Sequence, residues 1–358
     1  MHVEELKDGR EWDDFLRVSP EGTFYHSLQW KEVLERTFHD APLYLTVRDA
    51  GVIVGICPGF ILSSMHTNIY SSMPYSDYGG PVIARHCIEQ GSLLLRHYLQ
   101  QHCSGAGVAY LNISFMDARV QRSFGSPSKY VDTSKGTVEI DLEATPSHLI
   151  WHSLFSRNRR KKIMRYEKEG YQAQQARTKS DLKEFYSLYC DNMEYVGARP
   201  YPYEFLESMW TLLYPLNLRI WLVGKEKAIG GMLVLKDAQR MYLFLAGIDR
   251  RQELPWWDPG VLNYLFWKEI GTAEEEGCRH ISLGGTPSDP NDPYYLQKVS
   301  FGGSFNQQTV VCYPCSYIGW ALLQAMAGAV SSWRTIKGLL PIRLRNRVRA
   351  SLQEHFRD

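Results

Sequence analysis

Apolar positions change period several times along the chain. From Ser27 to Arg36 the residues Trp30, Val33 and Leu34 recur at helical spacing and predict a helix. Leu43–Arg48 and Val52–Leu62 are apolar runs on either side of Asp49-Ala-Gly51, which predicts a β-hairpin whose second strand is broken by Gly55 and Gly59. A loop rich in Gly, Pro, Ser and Tyr follows (Ser71–Pro81), then a helix over His86–Gln101 and strands at Val108–Ser114 and Thr137–Leu142. The second half predicts helices over Leu182–Asn192, Phe205–Leu213 and Val261–Glu275. Its strands are Leu218–Val223, Ala228–Leu235, Met241–Ala246 and His280–Gly285, the first two joined by Gly224-Lys-Glu-Lys.

Both halves thus read strand, charged glycine turn, glycine-containing strand, loop, helix, strand. Val54-Gly55 answers Ile229-Gly230, and Tyr110-Leu-Asn-Ile answers His280-Ile-Ser-Leu, in each case about 170 residues later, the mark of a duplicated unit. The divisions expected from this pattern are a first domain over 1–150, a second over 151–316 and a tail over 317–358.

Composition then narrows the classes. With 358 residues, 44% hydrophobic and 22% charged, the chain is long enough for two cores. A formal net charge of +1 supplies no global attraction to nucleic acid or lipid, so such a partner must be met by a local patch. The start, MHVEELKDGREWDDF, lacks the apolar stretch of a secretory signal. Seven scattered cysteines fit free thiols in a reducing compartment, and the expected location is cytoplasmic, with peripheral contact at the inner face of the membrane as an extension. Cys312 and Cys315 form a lone CxxC without a second ligand pair, so no metal site is expected and the two read as strand-end cysteines.

Two stretches are strongly basic. Arg157–Lys168 carries seven basic residues against Glu167 and predicts an exposed helix, either a solvated face or an anion-binding one such as a track for a tRNA backbone. Tyr317–Val330 is apolar with small residues, and Trp333–Phe356 is basic. That combination suits either a helix lying on a membrane surface or one docked on the protein body.

Four features offer chemistry. Gly284-Gly285-Thr-Pro closes a strand and either opens backbone amides to a ligand or permits a sharp turn. Lys298, in an aromatic segment before Gly302-Gly303, reads as a surface lysine or as a cation for a phosphate or a developing oxyanion. Arg199-Pro-Tyr-Pro-Tyr203 is a rigid turn with a phosphate-holding arginine. Asp77, among tyrosines in Tyr75–Gly80, either orients an amine or serves as a turn residue. No Walker loop, nucleophile elbow or zinc-protease motif is present.

The ordered set resembles the Fem family of peptidoglycan-bridge aminoacyltransferases within the GNAT acetyltransferase superfamily. The matching stretches are His26-Ser-Leu-Gln-Trp, Pro74–Gly80, Arg160–Gly170, Tyr186–Tyr189 with Asn192, Gly197 and Pro200-Tyr-Pro, Gly230-Gly-Met-Leu and Tyr295–Gly303. The resemblance implies an α/β fold of two tandem GNAT domains with mixed sheets and a cleft between them. It implies transfer of an aminoacyl group from aminoacyl-tRNA to an amine of a cell-envelope precursor, with no resident cofactor. Lys298 would then sit near the donor ester, and Asp77 would match a loop acid with a part in catalysis. Tyr242 and Phe244 would lie on the splayed strand lining the acceptor channel, Lys31, Arg199 and Tyr201 would bind the acceptor, and Gly284 and Gly285 would flank the reacting carbonyl. The superfamily's glycine-rich pyrophosphate loop is missing from Asp249–Gly260, which counts against acyl-CoA as donor. The alternatives left standing are an acyl-CoA-dependent N-acyltransferase for an envelope sugar or lipid-linked amine, and a catalytically silent scaffold at the membrane.

Overall fold

Capping chemistry places the helices. Ser27 accepts the Trp30 amide and starts the helix Leu28–Phe38. Thr178 and Asp181 form a capping box for Lys179–Val196, which Gly197 ends in a left-handed conformation. Ser156 starts Arg157–Lys168, the span expected from its charge pattern. The computed structural model describes residues 1–63, 67–125, 131–249, 260–319, 321, 322 and 325. Most of the expected tail and most of Asp249–Gly260 therefore lie outside the described residues.

The strands in chain order are β1 (His2–Glu5), β2 (Ala41–Pro42), β3 (Leu45–Asp49), β4 (Val52–Cys57), β5 (Phe60–Ser63), β6 (Asn68–Ser71), β7 (Val82–Ile83), β8 (Val108–Phe115), β9 (Val131–Asp132), β10 (Lys135–Asp141), β11 (Gln172–Gln175), β12 (Leu218–Gly224), β13 (Ala228–Lys236), β14 (Arg240–Ile248), β15 (His280–Pro287), β16 (Ser304–Gln307) and β17 (Thr309–Pro314). Contacts divide the chain into two units. The first takes Met1–Lys135 and the chain from Gln307, and the second takes Gly136–Asn306.

In the first unit, β1-β3-β4-β7 form one sheet and β2-β5-β6-β8-β17-β9 another. The apolar run Val52–Leu62 passes straight through Gly55 and breaks at Pro58-Gly59, so β4 and β5 belong to different sheets. The core gathers Leu45, Val47, Leu95, Leu99, Leu111, Ile113, Phe124 and Tyr313. In the second unit a single sheet runs β11-β12-β13-β14-β15-β10-β16, over a core that includes Val138, Ile163, Val223, Leu265, Ile281 and Phe301.

The duplication is visible in the pairing. Strands β5 and β6 are antiparallel, β6 and β8 parallel, with the helix Ile88–Gly105 between the last two. Likewise β13 and β14 are antiparallel, β14 and β15 parallel, with the helix Gly260–Glu275 between. Each sheet is completed by a strand from elsewhere in the chain. Strand β17, late in sequence, lies between β8 and β9, and β10 lies between β15 and β16. Local patterning sets the divisions at 150/151 and 316/317, whereas the contacts set them at 135/136 and 306/307, because β10 and β17 pair with strands far off in sequence. Among the described residues no helix is long and apolar enough to cross a membrane.

Candidate functional site

In the second unit the parallel pair β14·β15 opens. Pairing runs Arg240↔His280, Met241↔Ile281 and Tyr242↔Ser282, after which both strands continue without recorded pairing to each other. A bulge helps to turn β14. Leu233 pairs with Leu245 and Val234 with Leu243, which leaves Phe244 as the extra residue. On its other side β14 is held tightly by the helix Lys179–Val196. A Cβ on Gly247 would lie 2.5 Å from the Tyr189 nitrogen, and the Asn192 side-chain amide donates to the Ala246 carbonyl at 3.3 Å.

Phe244 belongs to an aromatic wall. The Tyr201 ring lies parallel to it with centroids 6.5 Å apart, and Phe205 meets it edge-on at 6.1 Å. Tyr201 is fixed through its backbone, its nitrogen donating to Tyr189 Oη at 3.2 Å and its carbonyl accepting from Tyr186 Oη at 3.1 Å. Tyr242 is fully buried, and its hydroxyl donates to Asp237 at 2.6 Å. It is a core tyrosine at the last paired position, and the partly buried wall starts at Phe244.

At the end of β15, Gly284 takes a φ of 77° and donates its amide to Ser282 Oγ at 3.2 Å. The Gly285 carbonyl accepts from Lys298 Nζ at 2.7 Å, so the lysine and the glycine pair singled out by sequence do meet. Lys298 is carried by the helix Pro293–Val299, whose N-cap is Asp292 and which has Pro293 in its first turn. Beyond that helix, Arg159 donates to the Ser300 carbonyl and hydroxyl, both at 2.6 Å, and lies 4.4 Å over the Phe301 ring. Thr286 is missing from the sequence-derived set. Its hydroxyl is buried and has no hydrogen-bond partner among the described residues. No motif marks it, since an unsatisfied hydroxyl becomes visible only once its surroundings are known.

The basic run is less available to a partner than its sequence implies. Arg159 is engaged with Ser300, Arg160 donates to the carbonyls of Trp151, His152 and Phe155, and Arg165 pairs with Glu169. Burial holds the Arg159 guanidinium below its usual range. Arg199 is exposed and makes no recorded hydrogen bond or ion pair with the described residues.

The first unit has its own polar cavity of about 280 Å³. Its lining includes Ser71, Ser72, Ser76, Asn112, Asp132, Lys135 and Gln308. Its frame joins two of the stretches that carry the family resemblance. His26 Nε2 lies 3.2 Å from the Gly80 carbonyl, Trp30 Nε1 donates to Ser76 Oγ at 2.7 Å, and Tyr25 stacks on Tyr78 at 5.8 Å. Gln308 Nε2 reaches Ser114 Oγ at 2.7 Å and the Asp77 carbonyl at 3.3 Å, so β17 also pins the Asp77 loop. Asp77 is half-buried beside this cavity. Lys31 pairs with Glu35 at 2.7 Å and lies 5.5 Å over Tyr44. Cys312 lines the cavity, but burial pushes its thiol up to about 12, so it is no thiolate nucleophile at neutral pH. Among the described residues no group of His, Cys, Asp or Glu is placed to hold a metal ion.

Comparison with known proteins agrees with this geometry. Residues 154–294 match the acetyltransferase (GNAT) domain model. Among solved structures, FemX superposes with a TM-score of 0.67 at 12% identity, covering 87% of this chain and 97% of that one. L-PGS from Bacillus licheniformis gives 0.56 at 11% identity, covering 90% and 98%. A tandem GNAT protein of the clavulanic acid biosynthesis pathway gives 0.55 at 13%, covering 88% and 98%. No curated sequence relative matches the chain. Residues 154–294 thus match a GNAT acetyltransferase domain, and the chain as a whole shares its fold with FemX and with a tandem GNAT protein.

Proposed function

We propose that the chain transfers an aminoacyl group from an aminoacyl-tRNA ester to a primary amine of a cell-envelope precursor, and that the chemistry takes place in the second unit. The observation that carries this reading is the opening of β14 and β15 beyond Tyr242↔Ser282. Two strand edges released from each other offer backbone groups to an extended acyl or peptide-like chain, as an added strand would use them. The Tyr201–Phe244–Phe205 wall supplies apolar surface beside that opening.

In the reaction the amine attacks the ester carbonyl, the C–N bond forms, and a tetrahedral oxyanion collapses with loss of the ribose oxygen. The proton leaving the new ammonium goes to that oxygen. A neutral amine is already a competent nucleophile, so no activated side chain is required. Lys298, tied to the Gly285 carbonyl, supplies the positive charge that the oxyanion meets. The buried Thr286 hydroxyl is a second donor on the same strand end. In this reading the exposed Arg199, in the same unit, meets a charged group of the acceptor.

An acyl-CoA donor is the second reading, favoured by the likeness to a tandem GNAT protein whose structure is described without AcCoA. Equilibrium binding to charged tRNA, uncharged tRNA and acyl-CoA, at two salt concentrations, separates the donors. Preference for charged tRNA supports the first reading, and saturable acyl-CoA binding indifferent to tRNA replaces it with the second. Lys298→Met is expected to lower kcat about a hundredfold without unfolding the protein. Unchanged turnover removes Lys298 from the mechanism.

A further inference from the structure

The helix Arg157–Lys168 has two opposed faces. Ile163 and Tyr166 are buried in the second unit's core, and Arg159 lies on the same side, bound to Ser300. At ~100° per residue, Arg157, Lys161, Met164 and Lys168 fall within an arc of about 60° on the opposite side. All four are exposed, Met164 by 48%. Arg157, Lys161 and Lys168 make no recorded hydrogen bond or ion pair with the described residues. The helix's Glu167 is held by Lys268 at 2.8 Å and Glu169 by Arg165, so the nearby acids are neutralised by other cations.

Cations interleaved with exposed apolar side chains discriminate between anionic partners. A nucleic-acid backbone satisfies arginine and lysine but offers nothing to Met164. A phospholipid surface satisfies both, phosphates taking the cations and the acyl boundary taking the methionine. We propose that this face docks the second unit onto an anionic phospholipid surface. The proposal is independent of the transfer reaction, because none of these side chains belongs to the opening of β14 and β15.

The test is co-sedimentation of the full chain with phosphatidylcholine vesicles, with and without phosphatidylglycerol, alongside a titration with tRNA. Binding is expected only to the anionic vesicles. The R157Q/K161Q/K168Q variant is expected to bind them on the order of 100-fold more weakly, about fivefold per charge. Met164→Ser is expected to weaken binding about tenfold at constant charge. A dye on Met164→Cys is expected to shift to the blue when anionic vesicles are added. These positions are exposed, so thermal melts should match wild type and loss of binding cannot be assigned to unfolding. Wild-type vesicle affinity in the triple variant overturns the proposal and assigns binding to another segment, such as the basic sequence after Trp333. Binding to tRNA that the triple variant loses, with no vesicle binding by wild type, overturns it in favour of a nucleic-acid face.

Discussion

Gly80 and Gly51 allow steric overlap to be separated from backbone strain within one unit. Gly80 has a φ of 92° and Gly51 a φ of 85°. An alanine at either position carries the positive-φ cost of an L-residue, about 1–2 kcal/mol. Around Gly51 nothing lies within 4 Å of the new Cβ. At Gly80 the Cβ would lie 1.7 Å from the Ser114 carbonyl oxygen, main chain against main chain. Relief requires the loop to move off β8 by more than an ångström. That loop is tied by the His26–Gly80, Trp30–Ser76, Ser114–Ser72 and Gln308–Asp77 hydrogen bonds. Losing two of these costs about 2 kcal/mol in addition to the strain. Gly80→Ala is therefore expected to destabilise by roughly 3–4 kcal/mol against 1–2 for Gly51→Ala. With a urea slope of about 3 kcal/mol/M, the Gly80 variant should unfold at least ~0.7 M earlier than the Gly51 variant, followed by circular dichroism. Midpoints that coincide would show that the loop is not seated on β8 as described.

Other perturbations address the second unit. Glu269 is fully buried against Arg219 and Trp221, and burial lifts its carboxyl to about 7 despite those partners. The folded state then holds a proton that the unfolded chain releases near 4.5, so stability is fullest below that pH and falls as pH rises towards 7. Glu269→Gln should flatten this slope in thermal melts run from pH 4.5 to 8, and an unchanged slope would assign it elsewhere. Arg159→Met removes both bonds to Ser300 and should cost about 2–4 kcal/mol in urea unfolding while lowering turnover, since Ser300 follows the helix carrying Lys298. A thermodynamic cycle of Tyr201→Leu and Phe244→Leu should give a coupling of about 0.5–1.5 kcal/mol, and a coupling of zero would dissolve the aromatic wall.

What sequence made legible was local. The helix Arg157–Lys168 was legible from its run of charged residues, and the β3–β4 hairpin from Asp49-Ala-Gly51. Lys298 and Gly285 were both legible as chemistry, though their contact across the end of β15 was not. Pairings between distant segments left no local trace. Strand β17 pairs with β8 so that Cys312 stands opposite Asn112, 200 residues earlier, and neither its register nor the role of Gln308 in pinning Asp77 has a periodic signal. Tyr242 and Phe244 look equivalent in sequence, yet the bulge between them separates a buried core tyrosine from a wall residue. The basic run was legible as a helix, but only coordinates divide it into cations that brace the fold and cations that face outward.

The two units also explain why one half of a duplicated chain carries the recognisable domain. Each has an antiparallel strand feeding a parallel pair across a helix, so each has a place where the parallel strands can part. In the first unit β6 stays paired with β8 to Ser71↔Asn112, and the chain then lays Ser72 and Gly80 against β8 through the Asn112 carbonyl and the Gly80–Ser114 approach. The strand edge is covered by main chain, and what remains is a polar side-chain cavity. In the second unit the bulge at Phe244 and the left-handed Gly284 turn both strands apart after Ser282. A covered edge suits a site that holds a ligand by its hydroxyls, whereas an open edge suits one that grips an extended chain and acts on its carbonyl. The domain model matches 154–294, the half with the open edge.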